Sequence, residues 1–130
     1  QAALSASLEL IDEVGRLAST VSSTQLSLGV GLATGDVFVG NIRAIDRWIW
    51  SAIGRTTNLA SRLQSMTRSL GASVVIDSTT GKRGQAHSHG FQRLENLPVR
   101  GFEDPVGVFL LPGLRANPVP EADVRLISQC

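Results

Sequence analysis

Leu26, Leu28, Val30 and Leu32 alternate with Ser27, Gly29, Gly31 and Ala33. A period of two marks a strand, because successive side chains point to opposite faces. One of those faces is nearly bare, and its two glycines imply that another element packs close against it. A chain with this strand must therefore supply a cover for it. Thr34-Gly35-Asp36 is a turn signal, and Val37-Phe38-Val39 and Arg47 to Ile53 read as two further strands. The mixed stretch Asn41 to Asp46 joins them into a hairpin-like arm. Gly54 ends the arm. A helix follows, with Thr56 or Thr57 as its N-cap and Gly71 as its C-cap. Leu59, Leu63, Met66 and Leu70 form its buried stripe.

Upstream, Leu4, Leu8, Ile11, Val14, Ala18 and Val21 recur at spacings of three and four, with Glu9, Asp12, Glu13 and Arg16 left for the wet side. That is an amphipathic helix. Downstream, Val74-Val75-Ile76 is a short buried strand. Gly81 to Gly90, carrying Lys82, Arg83, His87 and His89, has no apolar period and is expected to be an exposed loop. Phe91 to Val99 and Val106 to Leu111 read as the last two strands, with Gly101 to Pro105 turning between them. Beyond Pro112 the text is Pro-rich and polar, with a short amphipathic piece at Val124 to Ile127. The expected organisation is a folded portion over residues 1–112 and a tail over 113–130. The order of elements makes the class α+β.

Composition removes several alternatives. With 42% hydrophobic residues the chain has the apolar surface that a disordered segment lacks. No apolar run approaches the roughly 20 residues that span a bilayer, so no direct membrane insertion is expected of this segment. A net charge of +1 does not suit a duplex-binding face, which would be clustered and basic. The single cysteine, Cys130, cannot form an internal disulfide, which fits a reducing cytoplasmic setting. The chain opens on Gln1 with no signal-peptide pattern and reads as cut from something longer.

The segment Trp50 to Arg62 carries the chemistry. Asn58 and Arg62 are four residues apart on a helix, so they differ by about 40° and share a face. The strand end and helix start at Gly54 lie beside that pair, and helix N-termini favour anions. Arginine is a fixed cation with five donors, suited to a phosphate whose charge grows during reaction. Asparagine both donates to and accepts from sugar or phosphate oxygens. The plain alternative is a surface arginine and a helix-capping asparagine. His87 and His89 lack a neighbouring Cys or acidic ligand and read as solvated loop histidines. Trp48 and Trp50 share one face of their strand, where they could stack on a base, seal an interface or pack into the core.

The stretch Leu28 to Ile42, the stretch Asp46 to Arg62, and then Leu70-Gly71-Ala72, Val74-Val75-Ile76 and Pro98 to Val106 together resemble the class III adenylate/guanylate cyclases, in order and with matching spacing. The resemblance runs from about Leu26 to Leu111, with the opening helix also in place. It implies a ferredoxin-like α+β catalytic domain, here incomplete at its N-terminal side, that works as a dimer with ATP or GTP at the interface. It also implies conversion of ATP to 3′,5′-cyclic AMP and pyrophosphate in signal transduction, with two divalent ions, Mg²⁺ or Mn²⁺, at the phosphates. Asn58 matches the residue that orients the ribose, and Arg62 the one that stabilises charge on the pentavalent phosphorus. Ser51 falls where the family selects the base, and favours ATP over GTP. Arg100 sits where a basic residue reaches the terminal phosphates, a solvated hairpin arginine being its alternative.

Two departures qualify the match. Arg55 stands where the family has Asp or Asn. The family's two metal-binding aspartates, and the lysine that reads the base, belong to strands ahead of the first helix seen here. None of Asp12, Asp36, Asp46, Asp77, Asp104 and Asp123 has a setting to replace those aspartates, and Lys82 lies in the wrong segment. The implied metal ligands are therefore outside this chain, which by itself is expected to be inactive. It would pair with the missing N-terminal half or with a second copy as a homodimer. Two other readings compete: a catalytically inactive cyclase-like module that binds a nucleotide or a partner, and a ferredoxin-like nucleic-acid-binding domain. Low net charge and the lack of an aromatic RNA-binding strand disfavour the latter, so no nucleic-acid partner is expected.

Overall fold

The computed structural model describes residues 1–20 and 27–113. In chain order the elements are α1 (Ala2–Thr20), β1 (Val30–Leu32), β2 (Phe38–Ala44), β3 (Arg47–Ile53), α2 (Arg55–Met66), β4 (Ala72–Asp77), α3 (Ser78–Arg83), a 3₁₀ turn (Ala86–His89), β5 (Gln92–Leu97) and β6 (Val106–Pro112). The class is α+β, as expected. One sheet has the order β1-β4-β6-β5, with β1 parallel to β4 and the other pairs antiparallel. The other is the antiparallel ribbon β2-β3.

The bare face of β1 is covered by α2. A methyl group at Gly31 would run into the Ala60 carbonyl and the Gln64 amide, so helix and strand backbones lie in direct contact. The strand itself is shorter than the alternating run, and Val21, Leu26 and the piece at 124–127 fall outside the described residues.

β4 is the middle of the core. Val74, Val75 and Ile76 are fully buried, which explains their continuous apolar run rather than an alternating one. Val75 faces a cluster with Leu63 and Leu70, joined by Val108 and Leu110 of β6 and partly by Leu59 and Met66. Val74 and Ile76 face the opposite cluster, with Leu4 of α1, Phe91 and Phe109, against which Leu8 and Ile11 also pack. Helix α2 thus packs on one face of the sheet and α1 on the other. Each fully buried aliphatic side chain of this kind contributes about 1.5–3 kcal/mol relative to exposure.

Several local expectations are corrected. The N-cap of α2 is Gly54, not Thr56 or Thr57. Its φ of 151° turns the chain sharply from β3 into the helix, a conformation that a side chain would strain. The Thr56 hydroxyl instead donates to the Asp36 carbonyl at 3.0 Å. The helix stops at Met66, and turns carry the buried Leu70 to Gly71, whose N–H donates to the Arg68 carbonyl at 3.2 Å. Asn41 to Ala44 is strand, not connection: the ladder runs from Phe38↔Ile53 to Ala44↔Arg47, leaving only Ile45 and Asp46 in the turn.

The segment Gly81 to Gly90 is not an exposed loop. It contributes to α3 and the 3₁₀ turn, with Gly81, Gly84 and Ala86 buried and Gly81 lying under the Phe109 ring. The organiser is Asp77. Its carboxylate caps α3 by accepting from the Thr79 and Thr80 N–H groups at 3.2 and 3.1 Å. It also accepts from the Thr34 N–H at 3.1 Å, tying the exit of β1 to the start of α3. Trp48 and Trp50, 69% and 72% exposed, do not enter the core.

Candidate active site

The junction from β3 through Gly54 into α2 faces the turn that joins β5 to β6. Between them lies an open cleft of about 600 Å³, lined by Ile53, Gly54, Arg55, Asn58, Ser61, Arg62, Arg100, Gly101 and Phe102. Both of its walls are fixed. On one side, α2 is seated against β1 by the Gly31 contact and by Leu63, which is fully buried. Thr56, in its first turn, is bonded to the Asp36 carbonyl, and the turn holding Asp36 is anchored two residues earlier by the Thr34–Asp77 bond. On the other side, Val99 is buried, and its carbonyl accepts from the Phe102 N–H at 3.0 Å. Gly101 closes that tight turn with φ of 86°, and Phe102 packs partly into the core.

These walls bring together three of the four residues singled out from the sequence: Asn58, Arg62 and Arg100. Ser51 is not among the cleft-lining residues. It sits on β3 opposite Gly40, half-buried, on the same strand face as Ile53 by alternation. Six lining residues were not proposed from the sequence as site residues: Ile53, Gly54, Arg55, Ser61, Gly101 and Phe102. The available signal for Arg55 was helical spacing, since Arg55, Asn58 and Arg62 stand at i, i+3 and i+7 and fall on one stripe of α2. Along the axis, Arg55 and Arg62 are about 10 Å apart at 1.5 Å per residue.

The cleft is strongly cationic. Three guanidiniums line it and no carboxylate does. The helix that opens into it has no side chain bonded to its first N–H groups, which leaves backbone donors there as well. This environment suits a phosphate-bearing anion. It does not suit a divalent cation: among the described residues no three His, Cys, Asp or Glu side chains cluster to hold one. His87 lies with its ring edge against Phe109, centroids 4.9 Å apart, on the side of β6 away from the cleft-facing core. Among the described residues no helix is long and apolar enough to cross a membrane.

The same fold occurs in bacterial adenylyl cyclases. Two structures of a bacterial light-regulated adenylyl cyclase superpose with TM-scores of 0.65 and 0.64, at 24% and 26% identity over 95% and 98% of this chain. The adenylyl cyclase CyaB from P. aeruginosa superposes at 0.53, with 27% identity over 79%. The profile of the adenylate and guanylate cyclase catalytic domain matches residues 1–113. The chain belongs to that family. Among curated relatives it is 30% identical over 105 residues to the uncharacterized protein Rv1319c of Mycobacterium tuberculosis, and 30% over 92 residues to Rv1320c. It covers 19% and 16% of those proteins, and 36%, 38% and 52% of the three solved cyclase chains.

Proposed function

We propose that this chain supplies the ribose- and phosphate-handling wall of a nucleotidyl cyclase that converts ATP to 3′,5′-cyclic AMP and pyrophosphate. The observation that carries this reading is the meeting of Asn58, Arg62 and Arg100 in one cleft that holds no acidic side chain. Asn58 orients the ribose so that its 3′-oxygen faces the α-phosphorus, which removes part of the entropic cost of reaching an in-line geometry. The 3′-oxygen bonds to that phosphorus, the bond from phosphorus to the β-phosphate oxygen breaks, and the hydroxyl proton passes to solvent. Arg62 neutralises charge that grows on the phosphoryl oxygens, and Arg100 holds the departing pyrophosphate. Ser51, upstream on β3, hydrogen-bonds the adenine edge and makes GTP the poorer substrate.

The described residues do not form a metal cage. The acidic ligands for Mg²⁺ or Mn²⁺ belong outside these 130 residues, and the chain alone does not turn over. It acts in cytoplasmic signal transduction, joined to a second copy or to the rest of its catalytic domain. An exposed hairpin that bears Phe38, Trp48 and Trp50 supports such pairing. A second reading, nucleotide binding without catalysis, draws on the same absence of acidic groups from the cleft.

One assay separates them: cyclic AMP and cyclic GMP formed from ATP and GTP with Mn²⁺, by this chain and by the longer protein. Turnover in the longer protein, with cyclic AMP dominant, is expected. Arg62→Ala should lower kcat roughly a hundredfold with a smaller change in KM, as for loss of a group that stabilises transition-state charge. Unchanged turnover in Arg62→Ala would remove the assignment.

A further inference from the structure

The proposed reaction uses Asn58, Arg62 and Arg100 and leaves Arg55 without a role. Arg55 lies at the mouth of α2 with its guanidinium carbon 4.8 Å from the centre of the Phe102 ring. A guanidinium over an aromatic face is held by the ring's negative centre, and Phe102 is itself anchored against the core. The stack joins the two walls of the cleft, since Arg55 begins α2 and Phe102 follows Arg100-Gly101 in the opposite turn. It also costs Arg55 much of its rotamer freedom before any ligand arrives.

The charge pattern points the same way. Among the described residues the ion pairs join Arg16 to Asp12 and Glu13, and Arg93 to Glu95. Arg55, Arg62 and Arg100 make none, although all three line one cleft. Three like charges gathered without a counter-charge repel one another, and a polyanion bound among them relieves that repulsion. Arg62 lies about two helical turns further along α2, while Arg55 rests on Phe102 in the same turn that carries Arg100.

We infer that Arg55 is a third phosphate-binding residue, taking the β,γ-pyrophosphoryl end of the nucleotide, with Phe102 positioning it. This rests on the reading of the cleft as a nucleotide site. It adds that the cleft's own arginines hold pyrophosphate without help from a divalent ion. Planar guanidinium forks bind phosphate oxygens in pairs.

The test is calorimetric titration of the intact protein with inorganic pyrophosphate, at fixed ionic strength in excess EDTA. Arg55→Ala should weaken binding roughly ten- to hundredfold, the range for losing a hydrogen bond to a charged group. Arg55→Lys should recover part of that loss, because it restores the charge but not the fork. Phe102→Leu keeps an apolar residue against the core and should weaken binding several-fold through Arg55 alone, so that in an Arg55→Ala background it changes nothing. Arg43→Ala, on the exposed hairpin, should bind like the parent. If Arg55→Ala binds like the parent while Arg62→Ala and Arg100→Ala lose pyrophosphate, this inference is overturned and the cleft reading stands. If the parent binds nothing in EDTA, this inference is overturned; if the parent binds and all three variants bind like it, both are overturned.

Discussion

Gly31→Ala is the substitution whose outcome the packing determines most sharply. The added methyl would point at the Ala60 carbonyl and the Gln64 amide and α-carbon, all of them helix backbone. Backbone cannot swing aside as a side chain can, so either α2 lifts from β1 or the strand bends. Overpacking of this kind costs about 1–3 kcal/mol. The upper half of that range applies, because every obstructing atom is main chain. At about 4 °C per kcal/mol for a chain of this size, the melting temperature should fall by roughly 8–12 °C. The internal control is Gly15→Ala. Gly15 lies in α1 with nothing within 4 Å of an added methyl, so the same chemical change should raise stability by about 0.5–1 kcal/mol through helix propensity. Thermal unfolding followed by far-ultraviolet circular dichroism reads both. A Gly31→Ala protein that melts within 1 °C of the parent would refute the direct seating of α2 on β1, and with it the rigidity claimed for one wall of the cleft.

Three further outcomes follow from the same contacts. Asp77→Ala should cost about 1–3 kcal/mol, since it removes the α3 cap and leaves the Thr34 N–H without its acceptor; urea unfolding measures it. Asp77→Asn, which keeps an acceptor oxygen, should cost less than half as much. Trp48→Ala with Trp50→Ala should leave the melting temperature of the unassociated chain nearly unchanged, both side chains being well exposed, while weakening self-association in sedimentation velocity.

The large features were legible because each is carried by side-chain pattern. The bare face of Gly29 and Gly31 foretold a close partner. The stripe Leu59, Leu63 and Met66 identified the helix and the face it buries, while Leu70, read as its last member, lies past the helix end. The four-residue spacing of Asn58 and Arg62 placed both on the cleft side of that helix. What escaped was carried by small residues. α3 has no apolar stripe to read, because what it buries is Gly81, beneath the Phe109 ring. Its only advance notice was Asp77 ahead of Ser-Thr-Thr, a capping signal that the Gly-rich text obscured. Gly54 displaced both threonines as N-cap because the corner out of β3 requires its φ, a demand of the tertiary path rather than of cap chemistry. Arg55 was visible as a departure from the family pattern and by its helical spacing with Asn58 and Arg62, but its contact with Phe102 was not, since that residue is 47 positions away and nothing local joins them.

The central claim is that one helical stripe and the facing hairpin turn grip a nucleotide by its sugar and phosphates. A structure of the protein with a non-hydrolysable ATP analogue measures this directly. The account predicts the Arg62 guanidinium within about 2.7–3.2 Å of an α-phosphate oxygen and the Asn58 amide at the ribose. A nucleotide bound elsewhere, with Asn58 and Arg62 both turned to open water, would contradict it.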